Sequence, residues 1–448
     1  MKSAAVTIAA VATPSGKGGI AVVRVSGPAA LAVARNVCDH DGLRGEVVSH
    51  YALVGLIRHP EGGEAVDQAV VLPMIAPGSY TGEDVVEISC HGGEQTARLV
   101  LDACLSAGAA MAGPGEFTRR AFLNGRLSLD QAEAVADLIH ADDALSARAA
   151  LAQLRGGLRR ELAAVETPLL ELHAQLEGSL EFGDEDDVGP DSASMMEVFA
   201  SSLESVDTLL ADARGGRLIR DGVQVVLMGP PNAGKSSLFN ALLGEQRALV
   251  DHEAGTTRDV VSSRLSIEGV TFVLHDTAGL RDDGDRVESA GVALTRREAA
   301  RADLVLQIQP LDGAPTVFED CCAAVLRVGS RADLASDITL YDGLDVATSA
   351  RTGEGLDELR RLMTVAVDAG RMNEVARAGR ALSQRHRERL EAARTDLALL
   401  REQAEAHTAV EVLASLLSGV LAQLGEVTGR VYSERLLGEV FSRFCVGK

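Results

Sequence analysis

Residues Gly229 to Ser236 read G-P-P-N-A-G-K-S, a glycine-framed loop that closes on a lysine and a hydroxyl. This is the spacing of a phosphate cradle. The glycines let backbone N–H groups curl around an anion, and the N-terminus of the next helix adds positive potential. The apolar run Gln224–Met228 precedes the loop and S-L-F-N-A-L-L follows it, the strand-then-helix context that the loop requires. Lys235 is placed to reach the β- and γ-phosphates of a nucleotide and Ser236 to ligate Mg2+, with Asn232, Ala233, Gly234 and Ser237 around the same anion.

Two stretches downstream fit that loop. D-T-A-G, Asp276 through Thr277 and Ala278 to Gly279, ends the strand V-T-F-V-L-H and supplies a carboxylate on the Mg2+ side and a glycine to sense the γ-phosphate. G-T-T-R-D, from Gly255, lies between the two and puts Thr257 where it can close on Mg2+. Each is weak alone, but the three in this order are specific.

Base choice rests on G-S-R-A-D-L, which follows A-A-V-L-R-V at the place where GTPases carry N-K-x-D. Ser330 and Arg331 replace the Asn and Lys, and Asp333 remains. A carboxylate there accepts from guanine N1–H and the exocyclic amine, whereas adenine presents a lone pair and leaves the acceptor unpaired. The Arg331 stem can stack on the base. Ser330 is too short to copy all the bonds of an Asn, so weaker guanine affinity is expected. T-S-A-R-T-G-E-G, Thr348 to Gly355, supplies Ser349, Ala350 and Arg351 for a backbone contact to the base. On sequence alone, S-R-A-D as an ordinary loop stays open.

Hydrolysis needs a group that holds the attacking water. Ras-like GTPases have a Gln after D-x-x-G, but here the residue is Leu280, which cannot accept a hydrogen bond. Glu288, at a helix start in R-D-D-G-D-R-V-E, is the candidate. A cation near the Asn232 side-chain oxygen could replace an arginine finger.

The elements that must position these residues fall into blocks, and the expected fold class is multidomain, α/β plus α. Residues 1–118 alternate short strands (Val6–Val11, Ile20–Val25, Ala69–Met74, Asp84–Cys90) with a helix over Glu94–Ala107. Residues 119–214 turn helical. Ser128 and Gln131 have the spacing of a capping box, Ala144–Leu180 repeats Leu and Ala at helical spacing, and a further helix, about Met195–Arg214, is expected to stop at Gly215-Gly216. A P-loop domain over 215–372 interrupts the helices, which resume over 373–448. The nucleotide domain thus reads as an insertion into a helical bundle.

The chain has 448 residues, more than one core can serve, and only 3% of them are aromatic, so the cores must be built from Ala, Leu and Val. A net charge of −22 argues against a surface that grips nucleic acid throughout. The preference for Arg among the basic residues suits anion recognition or is simple compositional drift. Cys38, Cys90, Cys104, Cys321, Cys322 and Cys445 show no C-x-x-C spacing, which excludes a zinc ribbon and fits a reducing cytoplasm. A-A-V-T-I-A-A-V-A-T reads as a first strand rather than a secretory leader, and no apolar run is expected to span a membrane.

Taken together, G-P-P-N-A-G-K-S-S, A-G-T-T-R-D-V, D-T-A-G-L-R and F-C-V-G-K resemble the MnmE (TrmE) family of tRNA-modifying GTPases. So do A-T-P-S-G-K-G-G-I, S-Y-T-G-E-D-V-V-E-I, H-G-G and P-G-E-F-T-R-R-A-F-L-N-G-R-L, and the likeness covers the whole chain. The resemblance implies a homodimer joined through an N-terminal domain that binds 5-formyltetrahydrofolate or another one-carbon tetrahydrofolate. It also implies a heterotetramer with an FAD-dependent partner of the MnmG (GidA) type. Together they install an aminomethyl or carboxymethylaminomethyl group on the wobble uridine of certain tRNAs. GTP hydrolysis would be stimulated by K+ and by pairing of the G domains.

By position, the resemblance implies folate contacts at Arg24, Glu87, Arg126 and Lys448, with Arg126 standing where the family usually has Lys. For K+ it implies Asn232, Thr256 and oxygens of D-H-E-A-G, which includes Asp251 and Glu253, with Asp251 replacing the usual Ser or Thr. Glu288, twelve positions after Asp276, falls on the catalytic glutamate. Cys445 alone reads as a small buried filler, with Arg443 and Lys448 nearby, but the resemblance makes it necessary for modification. Two other readings remain: a regulatory GTPase switch such as a ribosome-assembly factor, and a degenerate GTPase, suggested by Ser330 and Leu280.

Overall fold

I-A-A-V and I-A-V-V-R-V-S make two strands, the first buried on both faces and the second alternating along its length. In the computed structural model of the protein they are β1 (Ile8–Val11) and β2 (Ile20–Ser26). The structure describes residues 6–181, 191–244, 262–275, 301–313, 323–335 and 343–448. The chain divides into two compact units, Met1–Ala136 with Ala422–Lys448, and Asp137–Leu421.

In the first unit follow α1 (Ala30–Val37), β3 (Cys38–Asp39), β4 (Leu53–Arg58), β5 (Ala65–Met74), β6 (Val85–His91), α2 (Glu94–Ser106), β7 (Ala110–Met111) and α3 (Glu116–Leu123), and α4 (Leu129–Ile139) begins. The seven strands form one sheet in the order β3-β4-β5-β6-β2-β1-β7. All pairs are antiparallel except β1 with β7. Strand period two sends Val23, Val25, Val71 and Ile88 to a core shared with Val33 and Val37 of α1 and Val100 of α2. The same period sends Ile20, Val54 and Val70 to the opposite face, where they are 67%, 58% and 40% exposed. Arg24 and Glu87 are on that opposite face, directly paired across β2 and β6.

The second unit contains α5 (Ala144–Leu154), α6 (Gly157–Glu181), α7 (Ser192–Ala211), α8 (Ala213–Asp221), β8 (Val223–Met228), α9 (Lys235–Leu243), β9 (Ser262–Ile267), β10 (Val270–His275), β11 (Leu304–Pro310), β12 (Ala324–Ser330), β13 (Val346–Ala347), α10 (Leu356–Ala366), α11 (Ala369–Ala378), α12 (Gln384–Glu405) and most of α13 (Val410–Thr428). Its sheet runs β13-β12-β11-β8-β10-β9, parallel except for the β9–β10 hairpin. β8 and β11 are almost wholly buried, with Gln224, Gln307 and Gln309 among the Val, Leu and Ile that cover both faces, while β12 exposes Arg327.

Three expectations change here. The helical run from Ala144 breaks at Gly156, whose φ of 81° is left-handed, so that two helices replace one. Gly215 and Gly216 do not stop a helix: α7 ends at Ala211 and α8 runs through both. A Cβ on Gly216 would lie 2.7 Å from the Leu382 backbone nitrogen, so the glycine serves close packing rather than capping. And α13, with mean hydropathy 1.5 over its 18-residue window, is long and apolar enough to cross a membrane by length and composition. Leu413, Leu417, Val420, Leu424 and Val427 recur along it at spacings of three and four and are buried, the stripe of a core helix.

The last helix, α14 (Glu434–Phe441), belongs to the first unit and is capped by Ser433, whose hydroxyl accepts from Leu436 N–H. Leu437, Val440, Phe441 and Phe444 pack on Phe122, Leu129 and Ala132, each contributing roughly 1.5–3 kcal/mol by burial. The residues beyond are fastened by backbone: Gly115 N–H donates to Cys445 O at 3.3 Å, Phe117 N–H to Lys448 O at 3.2 Å, and Val446 bridges Pro114.

Candidate functional site

β8 delivers the phosphate loop and α9 begins at its lysine. Asn232 (φ 58°) and Gly234 (φ 87°) are both left-handed, which bends the loop back on itself. The Lys235 ammonium donates to the carbonyls of Gly229 (3.0 Å) and Pro230 (2.9 Å) and so arches over the loop. Ser236, on the first turn of α9, and Asn232 are both exposed.

The parallel register of β11 and β12 brings the base-reading turn beside this loop, with Pro310 opposite Ser330. Ser330 is buried, and its hydroxyl donates to Ala233 O at 2.5 Å. The serine thus ties the turn to the phosphate loop. The Arg331 guanidinium donates to Asn232 O and to Asp312 Oδ2. Its head group is thus committed to loop contacts.

Asp333 sits in the short 3-10 turn Ala332–Leu334. Its Oδ1 accepts from Ser349 Oγ at 2.6 Å, and its Oδ2 lies 3.0 Å from Arg351 Nε. The Ser349 hydrogen bond, joined by the Arg351 charge, holds this carboxyl below its ordinary range. It is therefore an ionised acceptor at neutral pH, as guanine N1–H and its amine require. Ala332 N–H donates to Thr348 O, so the S-R-A-D and T-S-A-R stretches are one joined surface that includes Ala350. Asp251, Glu253, Gly255, Thr256, Thr257, Asp276, Thr277, Ala278, Gly279 and Glu288 lie outside the described residues.

A second constellation occupies the outer face of the first sheet. Arg24 Nε donates to Glu87 Oε1 at 2.9 Å, and the two side chains are 14% and 25% exposed. Sequence alone names both residues but gives no sign that they pair with each other. The Arg24 guanidinium lies 5.5 Å from the ring centroids of both Tyr80 and Phe117, and it also donates to Gly447 O at 3.4 Å. Tyr80 and Phe117 are absent from the expected contacts, although S-Y-T-G-E and G-E-F-T carry them. Burial pushes the Tyr80 phenol up, opposed by the Thr118 hydrogen bond and the Arg24 charge.

The turn that carries Tyr80 is bolted down. Ser26 Oγ lies 2.8 Å from Thr81 Oγ1 and donates to Glu83, which also takes Arg120 at 3.0 Å. Arg126 is exposed, its stem against Gly82 of the same turn. Lys448 is half-buried beside Gly447. Cys445 is exposed rather than a buried filler.

Comparison with known families now decides the chain's kinship. Residues 7–126 match the model described as the GTP-binding protein TrmE N-terminus, and residues 129–445 match the MnmE helical domain. The tRNA modification GTPase MnmE of Akkermansia muciniphila is 40% identical over 448 residues, covering 99% of both chains. The chain belongs to the MnmE family. The MnmE proteins of Geobacter metallireducens and Moorella thermoacetica are each 41% identical, again over 99% of both chains. Among solved structures, the G domain of the T. maritima FeoB iron transporter aligns with 32% of this chain and 98% of its own, at 26% identity and a TM-score of 0.24. Arg24, Tyr80, Glu87 and Phe117 fall within the first of the two matched ranges and the phosphate loop within the second.

Proposed function

We propose that this chain hydrolyses GTP and takes part in modifying the wobble uridine of tRNA. The observation that carries the reading is the joined surface of phosphate loop and base turn: Ser330 bonded to Ala233, Asp333 ionised and oriented by Ser349, within a chain of the MnmE family. Lys235 and Ser236 would hold the phosphates and Mg2+, with Thr257 and Asp276 completing the Mg2+ side. The Mg2+ would supply charge neutralisation between the β- and γ-phosphates. Asn232, Thr256 and the loop containing Asp251 and Glu253 would hold K+.

The finer reading assigns folate binding and dimerisation to residues 1–118, the helical bundle to 119–214 and 373–448, and GTP to 215–372. A tetrahydrofolate would lie against Arg24, Glu87, Arg126 and Lys448. Support comes from the aromatic pair Tyr80 and Phe117 around a cation, a setting suited to a flat heterocycle with an anionic tail. The uncovered apolar residues Ile20, Val54 and Val70 favour a second copy on that sheet face. An FAD-dependent partner of the MnmG type would complete the reaction with tRNA, in the cytoplasm, where Cys445 and the other thiols stay reduced.

Glu288 would orient the attacking water. A Glu288→Ala protein is expected to bind GTP normally and hydrolyse it at least about tenfold more slowly, measured by equilibrium titration and phosphate release; an unchanged turnover removes Glu288 from catalysis. The function itself is tested by nucleoside analysis of tRNA from cells lacking the protein. The wobble modification should disappear, and its retention would refute the reading.

A further inference from the structure

Asp312 has no role in any reading above, yet it is built into the base turn. It sits in the turn L-D-G after β11, and its Oδ2 accepts from Arg331 Nη1 at 2.7 Å. The other arm of the same guanidinium, Nη2, donates to Asn232 O in the phosphate loop. One planar group therefore joins three segments.

The two ends of this bridge are fixed differently. The Asp312 turn is held by the sheet: Leu311 N–H donates to Ser330 O at 3.0 Å, and the Leu311 side chain fills the space over Gly329, where a Cβ would come within 2.9 Å. Arg331 is tied on either side, by Leu311 N–H on Ser330 O and by Ala332 N–H on Thr348 O, but its own backbone is left-handed at φ 60°, a conformation non-glycine residues leave unless something holds them. Its carbonyl accepts from Leu334 N–H at 2.9 Å and so starts the 3-10 turn that carries Asp333. Arg331 therefore helps to set where Asp333 points, beside the Ser349 hydroxyl and the Ala332–Thr348 bond.

Two N–H bonds from a rigid fork suit that task, whereas a lysine ammonium offers a point charge without fixed directions. The side chains of Arg331 and Asp312 are 36% and 28% exposed, sheltered enough for the pair to keep one geometry.

We propose that Asp312 is a positioning residue for nucleobase specificity: through Arg331 it aims the Asp333 carboxylate at the purine edge. This rests on the guanine reading above. It also gives the departure from N-K-x-D a physical sense. Ser330 keeps a tie to the phosphate loop, and Arg331 with Asp312 aligns the turn through a two-armed fork that a lysine at this position would lack.

The test titrates the full chain, with Mg2+, against GDP, inosine diphosphate and ADP. Inosine diphosphate lacks the exocyclic amine, so the ratio of its affinity to that of GDP reports how well Asp333 meets the base. The wild-type chain should prefer GDP over inosine diphosphate by about tenfold. Asp312→Asn should weaken GDP by about tenfold and inosine diphosphate by less than about threefold, collapsing the preference. Equal weakening of both, or of neither, would overturn the proposal. Arg331→Lys, which keeps the charge and loses the fork, should lower the ratio too, and it carries the test if Asp312→Asn does not fold. ADP bound by the wild-type chain as tightly as GDP would instead sink the guanine reading itself.

Discussion

A Lys235→Ala protein is expected to hydrolyse GTP at least about a hundredfold more slowly than the wild-type chain, with weakened nucleotide binding. The reason is geometric. Lys235 is the first residue of α9, and its ammonium reaches back over the loop to lie 3.0 and 2.9 Å from the carbonyls of Gly229 and Pro230. The loop's left-handed residues turn its backbone toward the same volume. An anion held there would meet N–H dipoles on one side and a full positive charge on the other. Dipoles remain in the alanine protein, so some binding should survive. The charge does not, and the charge is what would meet the negative oxygens as they redistribute electron density in the transition state. A hundredfold corresponds to about 2.7 kcal/mol, within the range of a single charge-assisted contact in a site shielded from water. Phosphate release under saturating GTP and an equilibrium titration separate the two effects. A turnover within threefold of wild type would show that the loop cradles something other than a nucleotide in chemistry.

How much of this was legible depended on how far the informative residues stand apart in sequence. The phosphate loop is contiguous, so its spacing alone announces a cradle, and β8 and α9 flank it where expected. The docking of α14 was also readable, because Leu437, Val440, Phe441 and Phe444 repeat at helical spacing and are buried. The Arg24–Glu87 pair was not, since it depends on the register of β2 against β6, 63 residues apart. The bond from the Ser330 hydroxyl to the Ala233 carbonyl is hidden for a similar reason, since it depends on β8, β11 and β12 lying side by side in the sheet. Gly215 and Gly216 carried the signal of a helix end, but Gly216 answers to the backbone of a distant segment at Leu382, which periodicity cannot show. Local chemistry was thus readable from local sequence, while the partners supplied by register and close packing needed coordinates.

The ending F-C-V-G-K leads to the second large expectation: Gly447→Ala should release the last residues and abolish most of the tRNA modification. Gly447 has φ 101°, a region that residues with a Cβ avoid at a cost of order 1–3 kcal/mol. A Cβ there would also lie 3.0 Å from Ala12 Cα and press on the Val11 carbonyl, both of them backbone of β1 and its exit, with no side chain that could swing aside. The two penalties add, whereas the tail beyond Phe444 is held by backbone contacts at Gly115, Pro114 and Phe117 and by the Arg24 bond to Gly447 O. Since each 1.4 kcal/mol is a factor of ten, an undocked tail should become at least about tenfold more populated. The damage stops there, because the buried stripe of α14 lies upstream and keeps the helix in place. Undocking removes the carbonyl that Arg24 bonds and frees Cys445 from its fixed position, so both proposed contributions of the tail are lost together. Carboxypeptidase release of Lys448 measures the undocking, and nucleoside analysis of tRNA from cells carrying only the variant measures the consequence. Faster release with normal modification would separate the tail from the chemistry. Slow release would mean that the backbone around Val11 yields more than its place in the sheet allows.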